Sequence, residues 1–198
     1  MTAVAALVLA AGRSERMGSA NKLLCPVEGR AMVARVADAA LASRARPVAV
    51  VIGPEPDAIR AALAGLAVAF VPNPDPAEGM ASSLRAGVSA LEALNPPVDG
   101  ALVCLGDMPW VAAAHLDALI DAFDPVGDRD LCAPVYEERR GHPVLLGARY
   151  FPEMQALRGD VGAREILERH ADRLVLVPVG DPGVLRDVDT EEALSSLP

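Results

Sequence analysis

The chain has 198 residues, which is enough for one domain with a sizeable hydrophobic core. Its formal net charge of −9 argues against a general nucleic-acid binder, because such proteins neutralise phosphates with an excess of basic residues. No apolar run approaches the roughly 18 residues that a membrane span needs, and three separated cysteines without a CxxC pair are typical of free thiols, so we expect a cytoplasmic protein.

Short apolar runs alternate with helical patterns along the chain, which predicts βαβ units and an α/β fold with a mostly parallel sheet. The predicted strands are residues 3–9, 48–52, 67–71, 100–105, 130–135, 143–146 and 173–177. The predicted helices are 32–41, 57–64, 80–94, 115–123, 162–170 and 191–197, with a polar hairpin at 136–141. Glycine and proline clusters punctuate the chain without dividing it, so we expect a single domain over residues 1–198.

Lys22 is the only lysine in the chain, against seventeen arginines. Arginine is a poor substitute only where a compact, rotatable ammonium is needed, so this lysine is a candidate for a specific role. It ends a glycine-containing loop that leaves the first apolar strand and also carries Arg13 and Arg16, which favours phosphate binding. The loop is neither a Walker A sequence nor GxGxxG, so an ordinary connection between strand and helix is the alternative.

Three acidic residues are candidate metal ligands. Asp107 follows an apolar strand, and its side chain is expected beyond the strand's carboxyl end, at the same sheet edge as the first loop. Asp187 and Asp189 lie two residues apart, hence on one face of an extended segment. Carboxylates at such an edge suit Mg²⁺. For Asp107 and Asp189 the alternative is a local role, as a turn or helix cap.

Three further segments contain candidate binding residues. Ser83 lies at the start of a predicted helix, where hydroxyl and backbone N–H groups either read the edge of a base or only cap the helix. His142 ends the hairpin, where it either meets a ligand or occupies a turn. Arg164 opens another helix and either holds a phosphate or is a surface charge.

Six segments in this order resemble the molybdenum cofactor cytidylyltransferases, a branch of the MobA-like nucleotidyltransferases. They are LAAGRSERMGSANKLL, EGMASSL, GDMP, RGHPVLL, GDVGAR and DVDT. The resemblance covers residues 4–195. The guanylyl branch usually has a second glycine where this chain has Ala11, and a Pro-Leu-Ala-Gly-type segment where it has residues 78–80. These two departures favour the cytidylyl branch.

The resemblance implies a Rossmann-like, GT-A-like nucleotidyltransferase fold, a three-layer sandwich around the sheet. It implies transfer of CMP from CTP to molybdopterin or the molybdenum cofactor, with release of pyrophosphate and with Mg²⁺ as the cofactor. A molybdoenzyme or its chaperone is a further implied partner. No nucleic acid or membrane is expected to take part.

The resemblance also implies roles for matching residues. The implied nucleotide-binding residues are Ala10, Ala11, Gly12, Arg16, Lys22, Ser83 and Asp107, of which Arg16, Lys22 and Asp107 are the implied catalytic residues. The implied metal ligands are Asp107, helped by Asp189 and Asp187. The region of Gly141 and His142 is implied to face the acceptor, and we expect Arg140 and Arg164 to supply cations for it.

Three alternatives remain open. A related nucleotidyltransferase would use GTP with molybdopterin, or a sugar phosphate as acceptor. A non-catalytic accessory protein would bind the cofactor and deliver it to a molybdoenzyme. An oxidoreductase on a Rossmann-like fold is disfavoured, because no GxGxxG with a ribose-binding acid is present.

Overall fold

A mixed β-sheet lies at the centre of the computed structural model, which describes residues 2–12, 21–53 and 56–188. In chain order the strands are β1 (Val4–Ala10), β2 (Pro26–Val27), β3 (Arg30–Ala31), β4 (Val48–Ile52), β5 (Ala69–Pro72), β6 (Gly100–Leu105), β7 (Leu131–Tyr136), β8 (Arg139–Arg140), β9 (Val144–Gly147) and β10 (Val175–Pro178). Within these ranges the main sheet has the order β10-β7-β9-β6-β1-β4-β5, with β8 paired to β7. Strands β2 and β3 form a separate small hairpin.

Most neighbouring strands of the sheet are parallel. Strand β1 lies between β4 and β6 and is parallel to both, β5 is parallel to β4, and β10 is parallel to β7. Strand β9 is antiparallel to both β6 and β7. The carboxyl ends of β1, β4, β5 and β6 therefore meet at one edge, and the chain enters β9 at that same edge.

Helices cover both faces of the sheet. They are α1 (Met32–Ala42), α2 (Pro56–Ala62), α3 (Met80–Glu92), α4 (Ala113–Ala122), α5 (Phe151–Ala156) and α6 (Arg164–Arg169). Short 3₁₀ turns occur at Lys22–Leu24, Pro76–Glu78, Ala148–Tyr150 and Pro182–Leu185. In the described part of the chain, no helix has the length and apolar character needed to cross a bilayer.

Two hydrophobic clusters, one on each face of the sheet, follow from the alternation of side chains along a strand. In β1, Ala6 and Val8 belong to the cluster that α1, α2 and α4 cover, whereas Ala5 and Leu7 belong to the cluster that α3, α5 and α6 cover. Helix α3 packs closely on the sheet at Gly87, where a Cβ would lie 3.0 Å from the Leu7 side chain of β1. The result is the predicted three-layer sandwich.

The predicted elements agree with the structure to within two residues at each end wherever both can be compared. The predicted hairpin at 136–141 is present, with Tyr136 paired to Arg139. Helix α5 was not predicted, nor were the short strands β2, β3 and β8. The helix predicted at 191–197 lies outside the described residues.

Candidate active site

Lys22 and Asp107 form an ion pair at the carboxyl edge of the sheet. Lys22 Nζ donates a hydrogen bond to Asp107 Oδ2 at 2.8 Å, although 85 residues separate them in sequence. The two side chains are only 17% and 21% exposed, so the charges interact in a medium less polar than bulk water. The first loop and the Gly-Asp-Met-Pro turn, which were predicted to lie at one edge of the sheet, are therefore in contact in the structure.

The turn that carries Lys22 is fixed by its neighbours. Asn21 caps the 3₁₀ turn, because its side-chain oxygen accepts a hydrogen bond from the Leu23 N–H at 3.1 Å. The Leu23 side chain is buried in the cluster that α1 covers. The backbone at Lys22 is thus held from both sides and does not depend on the lysine side chain.

The turn that carries Asp107 continues the pairing of β6 with β1. The Gly106 N–H donates to the Leu9 carbonyl at 3.1 Å, and a Cβ at Gly106 would lie 2.8 Å from that oxygen, which only glycine avoids. The Met108 N–H donates to the Leu105 carbonyl at 3.2 Å, and the Met108 side chain is buried. The Asp107 carboxylate consequently projects from the end of the strand.

The segment that contains Asp187 is hydrogen-bonded to the turn that carries Asp107. The Val188 N–H donates to the Asp107 carbonyl at 3.1 Å, and the Val188 side chain is buried with Val27 and Met32. This anchor places exposed Asp187 beside the Asp107 turn. Asp189 follows directly in sequence but lies outside the described residues.

These carboxylates suit a Mg²⁺ ion. Mg²⁺ is usually held by one or two carboxylates, waters and substrate phosphates, and does not need a full cage of side chains. Among residues 2–12, 21–53 and 56–188, no group of three histidine, cysteine, aspartate or glutamate side chains could hold a metal. A site built on Asp107 with one neighbouring carboxylate and substrate phosphates fits this donor set.

The start of the first loop lies against the same edge. Ala10 and Ala11 are buried, each in one of the two hydrophobic clusters. Gly12 is exposed, and a Cβ placed on it would meet no atom within 4 Å. Arg16 lies outside the described residues.

Ser83 is buried at the start of α3 and is hydrogen-bonded to Asn73. The Asn73 amide nitrogen donates to Ser83 Oγ at 3.1 Å and to Ser82 Oγ at 2.8 Å. Ala81, at the same helix start, belongs to the hydrophobic cluster that includes Ala11. The Asn73 N–H donates to the Ile52 carbonyl, and Ile52 pairs with Ala10 of β1, so the predicted base-binding residues of the first loop and of α3 lie at the same end of the sheet.

The first N–H groups of α3 are already hydrogen-bonded. The Met80 N–H donates to Asp160 Oδ1 at 3.3 Å, and the Ala81 N–H donates to the Gly159 carbonyl at 3.2 Å. Gly79 allows this approach, because its φ is 105° and a Cβ there would lie 2.7 Å from Asp160. Backbone N–H groups and hydroxyls at this helix start were the candidates for hydrogen bonding to a base. Because these N–H groups are bonded within the protein, the Ser83 hydroxyl is the remaining candidate.

His142 lies at the end of the hairpin, next to β9. Its N–H donates to the Val184 carbonyl at 2.9 Å, which fixes the hairpin against the 3₁₀ turn Pro182–Leu185. Burial lowers the pKa of the imidazole, and the nearby charge of Asp107 opposes this shift in part. Nδ1 is inaccessible to solvent and has no hydrogen-bond partner among the described residues. A neutral imidazole beside Asp107 is suited to donate or accept one hydrogen bond.

Arg140 and Arg164 converge on one carboxylate. Arg164 Nε donates to Glu168 Oε1 at 2.6 Å, and the Arg164 side chain is 77% exposed. Arg140 Nη2 lies 3.9 Å from the same oxygen, and its side chain is only 31% exposed. The positive charge of Arg140 also contributes to the lowered pKa of His142, so Arg140 is the closer of the two to the site.

Two further contacts, made by His115 and Arg186, hold the segment that leads to Asp187. His115 Nδ1 accepts from the Ala112 N–H at 3.1 Å, so Nε2 carries a proton and donates to Asp181 Oδ2 at 2.8 Å. The Arg186 guanidinium stacks on the Trp110 ring, with its carbon 4.0 Å from the ring centroid. The segment is thereby attached to the loop that follows Asp107.

Three residues that hold the site were not predicted from the sequence: Asn73, Asp160 and His115. Asn73 follows a strand at the carboxyl edge of the sheet, and that position was a signal for a site residue. Asp160 and His115 act on segments far away in sequence, and nothing local indicates their partners.

A family model described as the MobA-like NTP transferase domain matches residues 6–174 of the chain. Nicotine blue oxidoreductase from Paenarthrobacter nicotinovorans is 30% identical over 202 aligned residues, covering 98% of this chain and 96% of that protein. Purine catabolism protein PucB from Bacillus subtilis is 30% identical over 196 residues, covering 93% and 90%.

Solved structures also superpose on this chain over almost its whole length. The crystal structure of Rv0371c from Mycobacterium tuberculosis H37Rv superposes with a TM-score of 0.82 at 30% identity, covering 99% of this chain and 97% of that one. A structure of Rv0371c in complex with manganese superposes with a TM-score of 0.74 at 29% identity, with the same coverage.

Proposed function

The chain belongs to the MobA-like NTP transferases and is a nucleotidyltransferase, and from this premise we propose that it transfers CMP from CTP to molybdopterin or the molybdenum cofactor. The observation that carries the proposal is the Lys22–Asp107 pair at the carboxyl edge of the sheet. A cation for phosphates and a carboxylate for a metal are the two groups that nucleotidyl transfer requires.

The reaction needs no protein nucleophile. A phosphate oxygen of the acceptor attacks the α-phosphorus of CTP, a new P–O bond forms, and the bond to the β-phosphate oxygen breaks to release pyrophosphate. The protein contributes position and charge, as in other phosphoryl transfers. In this mechanism Lys22 and Arg16 neutralise the triphosphate, and the backbone of Ala11 and Gly12 approaches the base and ribose.

Asp107 is the main metal ligand in this proposal, with Asp189 second and Asp187 beside them. A Mg²⁺ ion held by these carboxylates would supply positive charge to the phosphate oxygens. The anchor of Val188 on the Asp107 carbonyl supports this grouping. The manganese complex of Rv0371c supports a divalent ion in the family.

The choice of CTP rests on Ala11 and Ser83. A methyl group replaces the glycine usual in the guanylyl branch, and a buried hydroxyl is available at the start of α3. Both suit a small ring better than a purine. Size discrimination of this kind is about 10–200-fold.

We expect CTP with Mg²⁺ to raise the unfolding temperature more than GTP, UTP or ATP does. A ligand at about 100 times its Kd stabilises the folded state by about 2.7 kcal/mol, which a thermal melt detects. The experiment compares the four nucleotides with Mg²⁺, and repeats CTP with EDTA as a control. Greater protection by GTP would overturn the assignment to CTP.

The acceptor is proposed to bind beside His142, within reach of Arg140. Arg140→Ala is therefore expected to raise the KM for the acceptor with little change in the KM for CTP. Arg164→Ala is the matched control and is expected to have the smaller effect, because its side chain is mostly in solvent and paired with Glu168. A pyrophosphate-release assay with each substrate varied in turn measures both constants. An unchanged acceptor KM in both variants would contradict an acceptor site at this position.

The name of one relative supports a second candidate function. Nicotine blue oxidoreductase matches almost the whole chain, so an oxidoreductase reaction is the alternative. It predicts oxidation or reduction of nicotine blue by the purified protein when an external electron acceptor or donor is supplied, and no release of pyrophosphate from any NTP. Measuring both activities on one preparation separates the two candidates.

A molybdoenzyme or its chaperone is the proposed recipient of the product, and the cytoplasm is the proposed location. The three cysteines support a reducing compartment, because all are free and two of them, Cys104 and Cys132, are buried.

A further inference from the structure

Asn73 is a buried amide whose polar groups are all hydrogen-bonded. It follows β5 directly, and its N–H donates to the Ile52 carbonyl at 2.9 Å, so its backbone continues the sheet. The residue is 7% exposed. Its side-chain oxygen accepts from the Asp75 N–H at 3.0 Å, while its side-chain nitrogen donates to Ser82 and Ser83.

The direction of these hydrogen bonds follows from the Asp75 contact. A backbone N–H can only donate, so the atom of Asn73 that faces it is the oxygen, and the NH₂ group faces the serines. Ser83 Oγ therefore accepts from Asn73. The Ser83 proton must point elsewhere, and within the described residues no group accepts it. The Ser82 proton, in contrast, is donated to the Gly79 carbonyl at 2.8 Å.

We infer that Asn73 is a positioning residue for base selection, which acts by making Ser83 a hydrogen-bond donor towards the base. This inference rests on the proposed function, in which Ser83 lies near the cytosine. Cytosine presents an acceptor at N3, whereas uracil presents an N–H there. The two bases have the same ring size. Ser83 oriented as a donor thus selects cytosine over uracil, a distinction that the methyl of Ala11 cannot make.

Asn73→Asp tests the direction of the hydrogen bond. A carboxylate is isosteric with the amide but only accepts, so the Ser83 proton turns towards residue 73 and its lone pairs turn towards the base. We expect the preference for CTP over UTP, measured as the ratio of their Kd values, to fall about tenfold, the scale of one hydrogen bond replaced by an unpaired group. The Kd values come from calorimetric titration with each nucleotide and Mg²⁺.

Three variants serve as controls. Ser82→Ala removes the hydroxyl that bonds to Gly79 and is expected to keep the wild-type ratio. Ser83→Ala is expected to lose the preference, and adding Asn73→Asp to it is expected to change the ratio no further. Asn73→Ala serves if Asn73→Asp does not fold, and it is expected to lose the preference as Ser83→Ala does.

The outcomes separate the inference from the proposed function. Weaker binding of CTP and UTP by equal factors in the Asn73 variants would reduce Asn73 to a structural role and overturn the inference. An effect of Asn73→Asp that persists in the Ser83→Ala background would also overturn it. Wild-type protein that binds neither CTP nor UTP would refute the CTP assignment itself, and with it this inference.

Discussion

Lys22→Ala is expected to lower kcat/KM for nucleotidyl transfer by about 10²–10³-fold, the loss found when one preorganised group that stabilises transition-state charge is removed. The fold is expected to remain intact, because the cap by Asn21 and the burial of Leu23 hold the turn without the lysine side chain. The measurement is the rate of pyrophosphate release with saturating Mg²⁺, together with a thermal melt of the variant.

Lys22→Arg is the matched control. The guanidinium restores the charge but is planar and larger than an ammonium, so it does not reproduce a point charge at the Asp107 carboxylate. We expect activity between that of the wild type and that of the alanine variant. Full activity of Lys22→Ala would exclude the lysine from catalysis, and would remove the observation that carries the proposed function.

Asp107→Asn is expected to cause a large loss of metal-dependent activity, of the same order as Lys22→Ala. Loss of a residue that hydrogen-bonds to a metal ligand typically lowers metal affinity or activity by about 10–100-fold. Loss of the main carboxylate ligand is therefore expected to lower metal-dependent activity by at least about 100-fold. The asparagine is isosteric, and the backbone bond from Val188 to residue 107 does not depend on the side chain. The experiment titrates Mn²⁺ and Mg²⁺ into the protein and measures both binding and activity.

Asp187→Asn is the comparison for Asp107→Asn. Asp187 is exposed at the same edge but follows a 3₁₀ turn, whereas Asp107 lies in the turn directly after the central strand β6, so we expect the smaller loss for Asp187→Asn. Equal metal affinity in Asp107→Asn and wild-type protein would rule out Asp107 as a ligand.

The Lys22–Asp107 pair also predicts coupling between metal and nucleotide. Asp107 Oδ2 accepts a hydrogen bond from Lys22, so a metal that binds this carboxylate weakens its attraction for the lysine and favours the contact of Lys22 with the triphosphate. The Kd for CTP is accordingly expected to fall when Mg²⁺ is added, beyond the effect of forming the Mg–CTP complex. In Lys22→Ala this additional effect is expected to disappear, because the lysine that responds to the metal is missing.

The proximity of Lys22 and Asp107 could be predicted from the sequence. Apolar runs identified β1 and β6, and in a parallel sheet their carboxyl ends share one edge, so Lys22 and Asp107 were expected near each other. The residues that hold this edge in place were not predictable in the same way. Asp160 caps α3 from a segment 80 residues away, and no local pattern encodes that partner.

Helix α5 was not among the predicted elements. Its Pro152 lies in the first turn, where the missing N–H has no partner to lose, so this proline is compatible with the helix. At the start of α3 the sequence left two roles open for the first N–H groups, base binding or helix capping. The structure shows them bonded to the distant turn at Gly159 and Asp160, which the sequence does not reveal.

The stacking of Arg186 on Trp110 provides an intrinsic fluorescence probe of the candidate site. Trp110 is the only tryptophan in the sequence, so all indole fluorescence comes from one ring. That ring lies on the loop that follows Asp107 and is covered by the segment that carries Asp187. Any displacement of this segment, on titration with metal or nucleotide, changes the polarity and quenching at a single emitter. Equilibrium and stopped-flow measurements of ligand binding can therefore be made on the unlabelled chain.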